Sequence, residues 1–151
     1  MSVGIGYDSH RFAEGRRLVL GGVEIDHERG LAGHSDADVL THAVIDALLG
    51  ATGLGDIGAL FSDDDPQWLD ADSLDLLRTV VGMVGGRIVN IDATVVCEEP
   101  RLASYRAEME RILAEVTSAR VNVKATTNEG MGWIGRGEGI ACIAVASVDS
   151  E

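Results

Sequence analysis

Aromatic residues are scarce in this chain: Trp, Tyr and Phe make up 4% of it, against 19 glycines. The interior must therefore be filled by Val, Ile, Leu and Ala, with a backbone that turns tightly and approaches itself closely. Cysteine is equally thin. Cys97 and Cys142 stand in apolar surroundings without CxxC spacing, which excludes a disulfide scaffold and predicts two buried, reduced thiols. Cations are few as well: 12 Lys and Arg face 25 Asp and Glu, a formal charge of −13. That balance argues against nucleic acid as a partner and against attraction to an anionic membrane. It also requires that any anionic substrate meet a metal, backbone N–H groups or a local Arg. No stretch approaches the roughly 20 apolar residues that span a bilayer. The opening M-S-V-G-I-G-Y-D-S-H has neither a basic nor an apolar leader segment, so a cytoplasmic location is expected. Without a Pro/Ser-rich linker, a charge block or an internal repeat, the 151 residues read as one domain. A chain of that size buries enough surface to fold without disulfide or metal staples.

What is present is an alternation of strand and helix patterns. Residues 3–7 predict a short strand, and residues 18–25 predict two short strands around Gly21-Gly22, a hairpin signal. Over 37–51, Val39, Val44, Leu48 and Leu49 recur at helical spacing, with Asp36 as the expected N-cap and Gly50 and Gly53 near the stop. A long loop, G-L-G-D-I-G followed by F-S-D-D-D-P, leads to a second helix over 73–84, capped by Asp72 or Ser73. A strand over 88–98, a helix over 103–117 and strands over 121–127 and 139–148 complete the pattern. The expected fold is a two-layer α/β (α+β) domain with a roughly four-stranded mixed sheet and helices on one face. Ala93, Val95 and Cys97, with Ile140, Cys142, Ala144 and Ala146, alternate along their strands. They are expected to form a bare apolar face through which copies of the chain associate.

The sharpest chemical signal is Asp8 and His10, two residues apart after the first strand. Extended geometry turns both side chains to one side. Such a pair supplies two ligands, and a catalytic zinc needs a third and an open position, with His34 and His42 as candidates. His27, between Asp26 and Glu28 in an exposed-looking turn, has no such case. His42 lies four residues from both Asp38 and Asp46, so on a helix the three share a face and the acids would orient the imidazole. The same spacing equally fits a solvated face, with Asp36 and Asp38 as caps.

Taken together, Y-D-S-H-R-F, G-H-S-D-A-D-V-L-T-H-A-V-I-D-A-L-L-G, G-L-G-D-I-G, A-T-T-N-E and G-R-G-E-G-I resemble the 2-C-methyl-D-erythritol 2,4-cyclodiphosphate synthase family over nearly the whole chain. The resemblance implies that Asp8, His10 and His42 hold one Zn2+, leaving its fourth position for a substrate phosphate oxygen. It implies catalytic roles for His34 and Thr127, and a second cation, Mg2+ or Mn2+, carried by Glu129 between the substrate phosphates. Ser35 would contact the methylerythritol phosphate, and Asp56, Ile57 and Gly58 the ribose. Phe61, Ser62, Asp63, Asp64 and Asp65 match a flexible substrate loop that the family more often writes F-P-D-T-D. The missing Pro at Ser62 loosens that loop. Pro100, Arg101 and Leu102, with Ala125, Thr126 and Asn128, resemble the pocket for cytosine, contributed by a neighbouring subunit of a homotrimer. Arg101 stands where the family commonly has Lys, which exchanges a point donor for a planar fork. Lys124, the sole lysine, directly precedes A-T-T-N-E; it fits either a paired strand residue or a phosphate contact. Trp133 and Arg136 resemble the lining of a central channel where an isoprenoid diphosphate binds, and they fit trimer core and an Arg136–Glu138 pair across subunits equally well.

The implied reaction is intramolecular: the 2-phosphate of 4-diphosphocytidyl-2-C-methyl-D-erythritol 2-phosphate attacks the β-phosphorus and CMP leaves. Positioning and charge neutralisation carry such a transfer, so no Ser or Cys nucleophile is needed. Two rivals share the metal arm. A zinc phosphohydrolase would use bound water and give a linear product. A non-catalytic trimer binding isoprenoid diphosphate around a structural zinc would show four protein ligands.

Overall fold

Alternation governs the first strand of the computed structural model, which describes residues 1–150. In β1 (Ser2–Ala13), Gly4, Gly6, Asp8, His10 and Phe12 turn inward while Val3, Ile5, Tyr7, Ser9 and Arg11 are exposed. After it come β2 (Leu18–Leu20), β3 (Val23–Ile25), β4 (Gly30–Leu31), α1 (Val39–Thr52), α2 (Ile57–Leu60) and α3 (Ser73–Met83). The chain then forms β5 (Arg87–Val96), α4 (Arg106–Thr117), β6 (Arg120–Thr126), α5 (Gly132–Gly135) and β7 (Gly139–Asp149). Five strands make one mixed sheet in the order β4-β1-β7-β5-β6, with β5 and β6 parallel and the remaining pairs antiparallel. The expected β2–β3 hairpin forms, as a sheet of its own, and its Gly21 and Gly22 both have positive φ, the geometry of a two-residue turn.

Helices cover one face of the sheet, and a single core unites α1, α3 and α4 with the inward residues of the strands. That core corrects one expectation. Ala93, Val95, Ile140, Cys142, Ala144 and Ala146 lie beneath the helices, and Cys97 is buried with them. The bare face carries the opposite set, with Val3, Ile5, Tyr7, Ile143 and Val145 exposed. Alternation fixes which residues share a face, but not which face a helix takes. The sheet also has five strands, because the two residues of β4 pair with Phe12 and Ala13 and are too short to show alternation. Asp8 and His10 lie inside β1 rather than after it, paired with Cys142 and Ile140 of β7.

The first helix begins at Val39 with Asp38, not Asp36, as its cap. The Asp38 carboxylate is fully buried and accepts from Gly21 N–H, Gly22 N–H, Thr41 N–H and the Thr41 hydroxyl, at 2.8–3.0 Å. Burial, and to a lesser extent the nearby Asp36 charge, push its pKa up, and the backbone N–H donors of Thr41, Gly21 and Gly22 oppose that. One side chain thus closes both the hairpin and the helix.

The contact that places the site is between β1 and α1. A Cβ on Gly4 would overlap the carbonyl oxygen of Ala47, and one on Gly6 that of Ala43. The two glycines alternate along the strand while Ala43, Ala47 and Ala51 recur every fourth residue along the helix, so both small stripes meet. Substituting Gly6→Ala is therefore expected to cost about 3 kcal/mol, read as a lower urea midpoint at unchanged slope. An unchanged midpoint would show that the contact has slack.

Candidate metal centre and the cavities beside it

Asp8 and His10 on β1 meet His42 on the first turn of α1, and one donor atom from each lies within 4.8 Å of the others. Asp8 Oδ2 is 2.8 Å from His10 Nε2 and 3.2 Å from His42 Nδ1. The far side of each ring fixes its tautomer. His10 Nδ1 lies 2.8 Å from the Ala32 carbonyl, which only accepts, so in the neutral ring that nitrogen carries the proton and Nε2 presents a lone pair. His10 Nε2 is accordingly buried without a hydrogen-bond partner of its own. A nitrogen lone pair and a carboxylate oxygen side by side repel unless positive charge sits between them. Two imidazoles and one carboxylate are a donor set that suits zinc, with a fourth position left for a ligand.

The electrostatics agree. Burial alone would raise the Asp8 carboxyl, but its contacts with His10 and His42 outweigh that and bring it down to about 2. Burial lowers the His42 pKa, and the Asp8 contact and charge more than reverse it, so the ring is held above its ordinary value. The three predicted metal ligands are thus brought together, although neither Asp38 nor Asp46 orients His42. Asp38 is a cap, and Asp46 accepts from Ile57 N–H at 2.8 Å, tying α2 to α1. His42 Nε2 is instead 2.8 Å from Ser73 Oγ and 3.2 Å from Ser35 Oγ.

The centre forms part of the wall of a cavity of about 330 Å³ shared by His34, Ser35, Ile57, Gly58, Phe61, Ser62, Asp63 and Asp64. His34 Nε2 lies 3.1 Å from the Asp65 carbonyl, so the loop 61–65 is fastened to the predicted catalytic histidine. Arg16 donates to the carbonyls of Gly33 and Ser35 at 3.1 and 2.6 Å, bracketing His34. Asp56 caps α2 through Ala59 N–H at 2.8 Å. Pro100, Arg101, Leu102, Ala125, Thr126 and Thr127 line a separate cavity with Cys97 and Glu98. The two predicted catalytic residues, His34 and Thr127, thus line different cavities of the chain.

Asn128 and Glu129 lie on the turn after β6, where Glu129 has φ 55°. Glu98 accepts from Asn128 N–H at 2.6 Å and Gly130 N–H at 3.2 Å and so shapes that turn. Sequence reasoning missed this role, as it missed Arg16 and the Ser73 contact, because each partner is distant in sequence. Trp133 lines a third cavity with Ser9, His10, Arg11, Phe12 and Glu138, and Arg136 pairs with Glu138 of its own chain at 2.7 Å. Lys124 is ion-paired with Asp92. Cys97 and Cys142 are free and buried, and burial pushes the Cys97 thiol up to about 11. Among the described residues no helix is long and apolar enough to cross a membrane.

Proton and metal compete for His42. The metal-free chain gains from the protonated ring's contact with Asp8 fully below the unfolded imidazole pKa of about 6.5. That gain fades as pH rises through the raised folded value. Binding of a divalent cation such as Zn2+ at this centre should therefore release a proton at the acid end and tighten with pH until His42 is neutral. Calorimetric titrations in buffers of different ionisation enthalpy measure both; a pH-independent affinity would contradict the assignment of His42.

Known proteins resemble this chain along nearly their whole length. A chain named 2-C-methyl-D-erythritol 2,4-cyclodiphosphate synthase from Syntrophomonas wolfei is 56% identical, with 99% of both chains covered. One of the same name from Symbiobacterium thermophilum is 59% identical, with 98% of each covered. A solved 2C-methyl-D-erythritol-2,4-cyclodiphosphate synthase in a CDP-bound form superposes with a TM-score of 0.88 at 35% identity, covering 97% of this chain and 99% of that one. The profile of the YgbB family matches residues 1–149. That span takes in every strand and helix from β1 to β7, and the chain belongs to the YgbB family.

Proposed function

We propose that this chain is a 2-C-methyl-D-erythritol 2,4-cyclodiphosphate synthase, a phosphorus–oxygen lyase of isoprenoid biosynthesis. It takes 4-diphosphocytidyl-2-C-methyl-D-erythritol 2-phosphate to the 2,4-cyclodiphosphate and CMP. The single observation that carries the reading is the three-donor centre in the wall of a cavity that also holds His34 and Ser35. Three donors leave a coordination position open, which disfavours a structural zinc with four protein ligands. Zn2+ bound by Asp8, His10 and His42 supplies Lewis-acid polarisation of a phosphoryl oxygen.

The remaining steps belong to the side chains. An oxygen of the 2-phosphate forms a bond to the β-phosphorus, and the bond from that phosphorus to the CMP oxygen breaks, with CMP keeping the electron pair. His34 donates its ring N–H to phosphate once the loop 61–65 shifts from the Asp65 contact. The Thr127 hydroxyl oxygen accepts from Glu129 N–H at 3.2 Å, which leaves its own proton to donate to a phosphate oxygen. Glu129, on a turn held by Glu98, carries Mg2+ or Mn2+ as a hard oxygen ligand. Asp56, Ile57 and Gly58 hold the ribose, and Pro100, Arg101 and Leu102 with residues 125–128 hold the cytosine. An isoprenoid diphosphate at Trp133 and Arg136 would first have to displace Glu138 from Arg136.

Phosphorus NMR of Zn2+- and Mg2+-loaded protein with this substrate should show two coupled resonances of a cyclic diphosphate plus CMP. His42→Ala should lower the rate at least about 100-fold. Inorganic phosphate or a linear product would instead mark a phosphohydrolase.

The single polypeptide forms one catalytic domain, and in a homotrimer each site is completed by a neighbouring copy. Supporting this, the cavities of His34 and Thr127 are distinct within a chain, and Ile5 is 70% and Val3 64% exposed on the bare sheet face. Sedimentation equilibrium should give three times the chain mass. Ile5→Lys together with Ile143→Lys should give folded monomers that retain Zn2+ but lose turnover; active monomers would rule out a shared site.

A further inference from the structure

We propose that Asp36 and Ser73 form a positioning pair that holds the His42 proton on Nε2, so that Nδ1 presents its lone pair beside Asp8. The inference rests on the metal-dependent reading of the centre and names what sets its third ligand. Ser73 opens α3 and is fully buried. Its N–H donates to Asp36 Oδ2 at 3.0 Å, and its hydroxyl donates to Asp36 Oδ1. A carboxylate only accepts, so the single Ser73 hydroxyl proton is committed to Asp36. Toward His42 Nε2, 2.8 Å away, Ser73 Oγ is then an acceptor, and the ring nitrogen must be the donor. Ser35 Oγ, 3.2 Å from the same nitrogen, also accepts from Ala37 N–H at 3.1 Å.

Asp36 is itself fixed. Its Oδ1 accepts from Asp38 N–H at 3.2 Å, and its own N–H donates to the Ala71 carbonyl at 3.1 Å. The chain His42, Ser73, Asp36 therefore runs from the metal centre to a loop that α1 and α3 both hold. A capping role does not account for it, because α3 already has Asp72 as N-cap, accepting from Leu74 N–H at 2.9 Å. Outer partners of this kind orient a metal-binding imidazole and raise its affinity for the ion.

The test uses the full-length chain, first metal-free and then titrated with Zn2+ alone against a chromophoric chelator. Ser73→Ala, Asp36→Asn and the control Asp72→Ala are compared with the unaltered chain, with circular dichroism to establish folding. Long-range proton–nitrogen spectra report the His42 tautomer. Ser73→Ala and Asp36→Asn are expected to weaken Zn2+ binding about 10- to 100-fold and to move neutral His42 partly to the Nδ1–H form. Asp72→Ala is expected to lower Tm and leave both readouts unchanged. Asp36→Asn preserves shape and carries the test if Ser73→Ala does not fold. Unchanged affinity and tautomer in the folded variants would overturn the proposal. An equal loss in Asp72→Ala would do the same, by reducing the effect to helix stability. An unaltered chain that takes up no Zn2+ would remove the metal reading instead, and the tautomer spectra would still decide the role of the pair.

Discussion

The molecule is organised around a place where side chains are missing. Gly4 and Gly6 of β1 lie against the Ala43 and Ala47 backbone of α1 with no room for even a methyl group. At this separation a short side chain on the strand and a ring on the helix can share a ligand. With bulkier residues in the seam, helix and sheet would be forced apart, and Asp8 would lose His42. The scarcity of aromatics and the wealth of glycine follow from the same requirement. The centre is a consequence of close backbone packing, and the hydrophobic core around it holds that packing in place.

Much of this was legible in the sequence where local rules suffice. The i, i+2 spacing of Asp8 and His10 put both on one side of a strand, and the period of Val44, Leu48 and Leu49 gave α1. The Gly21-Gly22 turn needed no tertiary information either. Features that depend on which surfaces meet were not legible. The alternating set Cys142, Ala144 and Ala146 looks the same whether it faces helices or another subunit, so the bare face was assigned to the wrong side of the sheet. Asp36 and Asp38 are two residues apart and chemically identical, and only the arrival of the β2–β3 turn makes Asp38 the cap. The acids expected to orient His42 were near it in sequence, whereas Ser73 is 31 residues away. Proximity along a helix proved a poor guide to what a ring nitrogen touches.

Electrostatics gives the acidic composition a second meaning. Most carboxylates are solvated, and several pair on the surface, as Glu108 and Glu115 do with Arg111. Such exposed pairs add little stability. A few carboxylates have structural duties instead: Asp38 closes the hairpin, Asp46 ties α2 to α1, and Glu98 shapes the turn that carries Glu129. Asp8 is the one that two imidazoles keep charged, and it marks where the chain concentrates attraction for cations.

The sheet order carries a consequence for how the chain reaches this state. The strand between β1 and β5 is β7, which follows every other described element in sequence. During synthesis β1 and β5 emerge with no partner for their facing edges, and the seam between β1 and α1 has no second strand to brace it. Assembly of the sheet therefore waits for residues 139–149 to leave the ribosome, a long-range closure that is intrinsically slow. Until then the apolar strands have exposed edges that invite association with other chains. A nascent chain of this topology depends on holding β1 and β5 apart from strangers until their shared neighbour arrives.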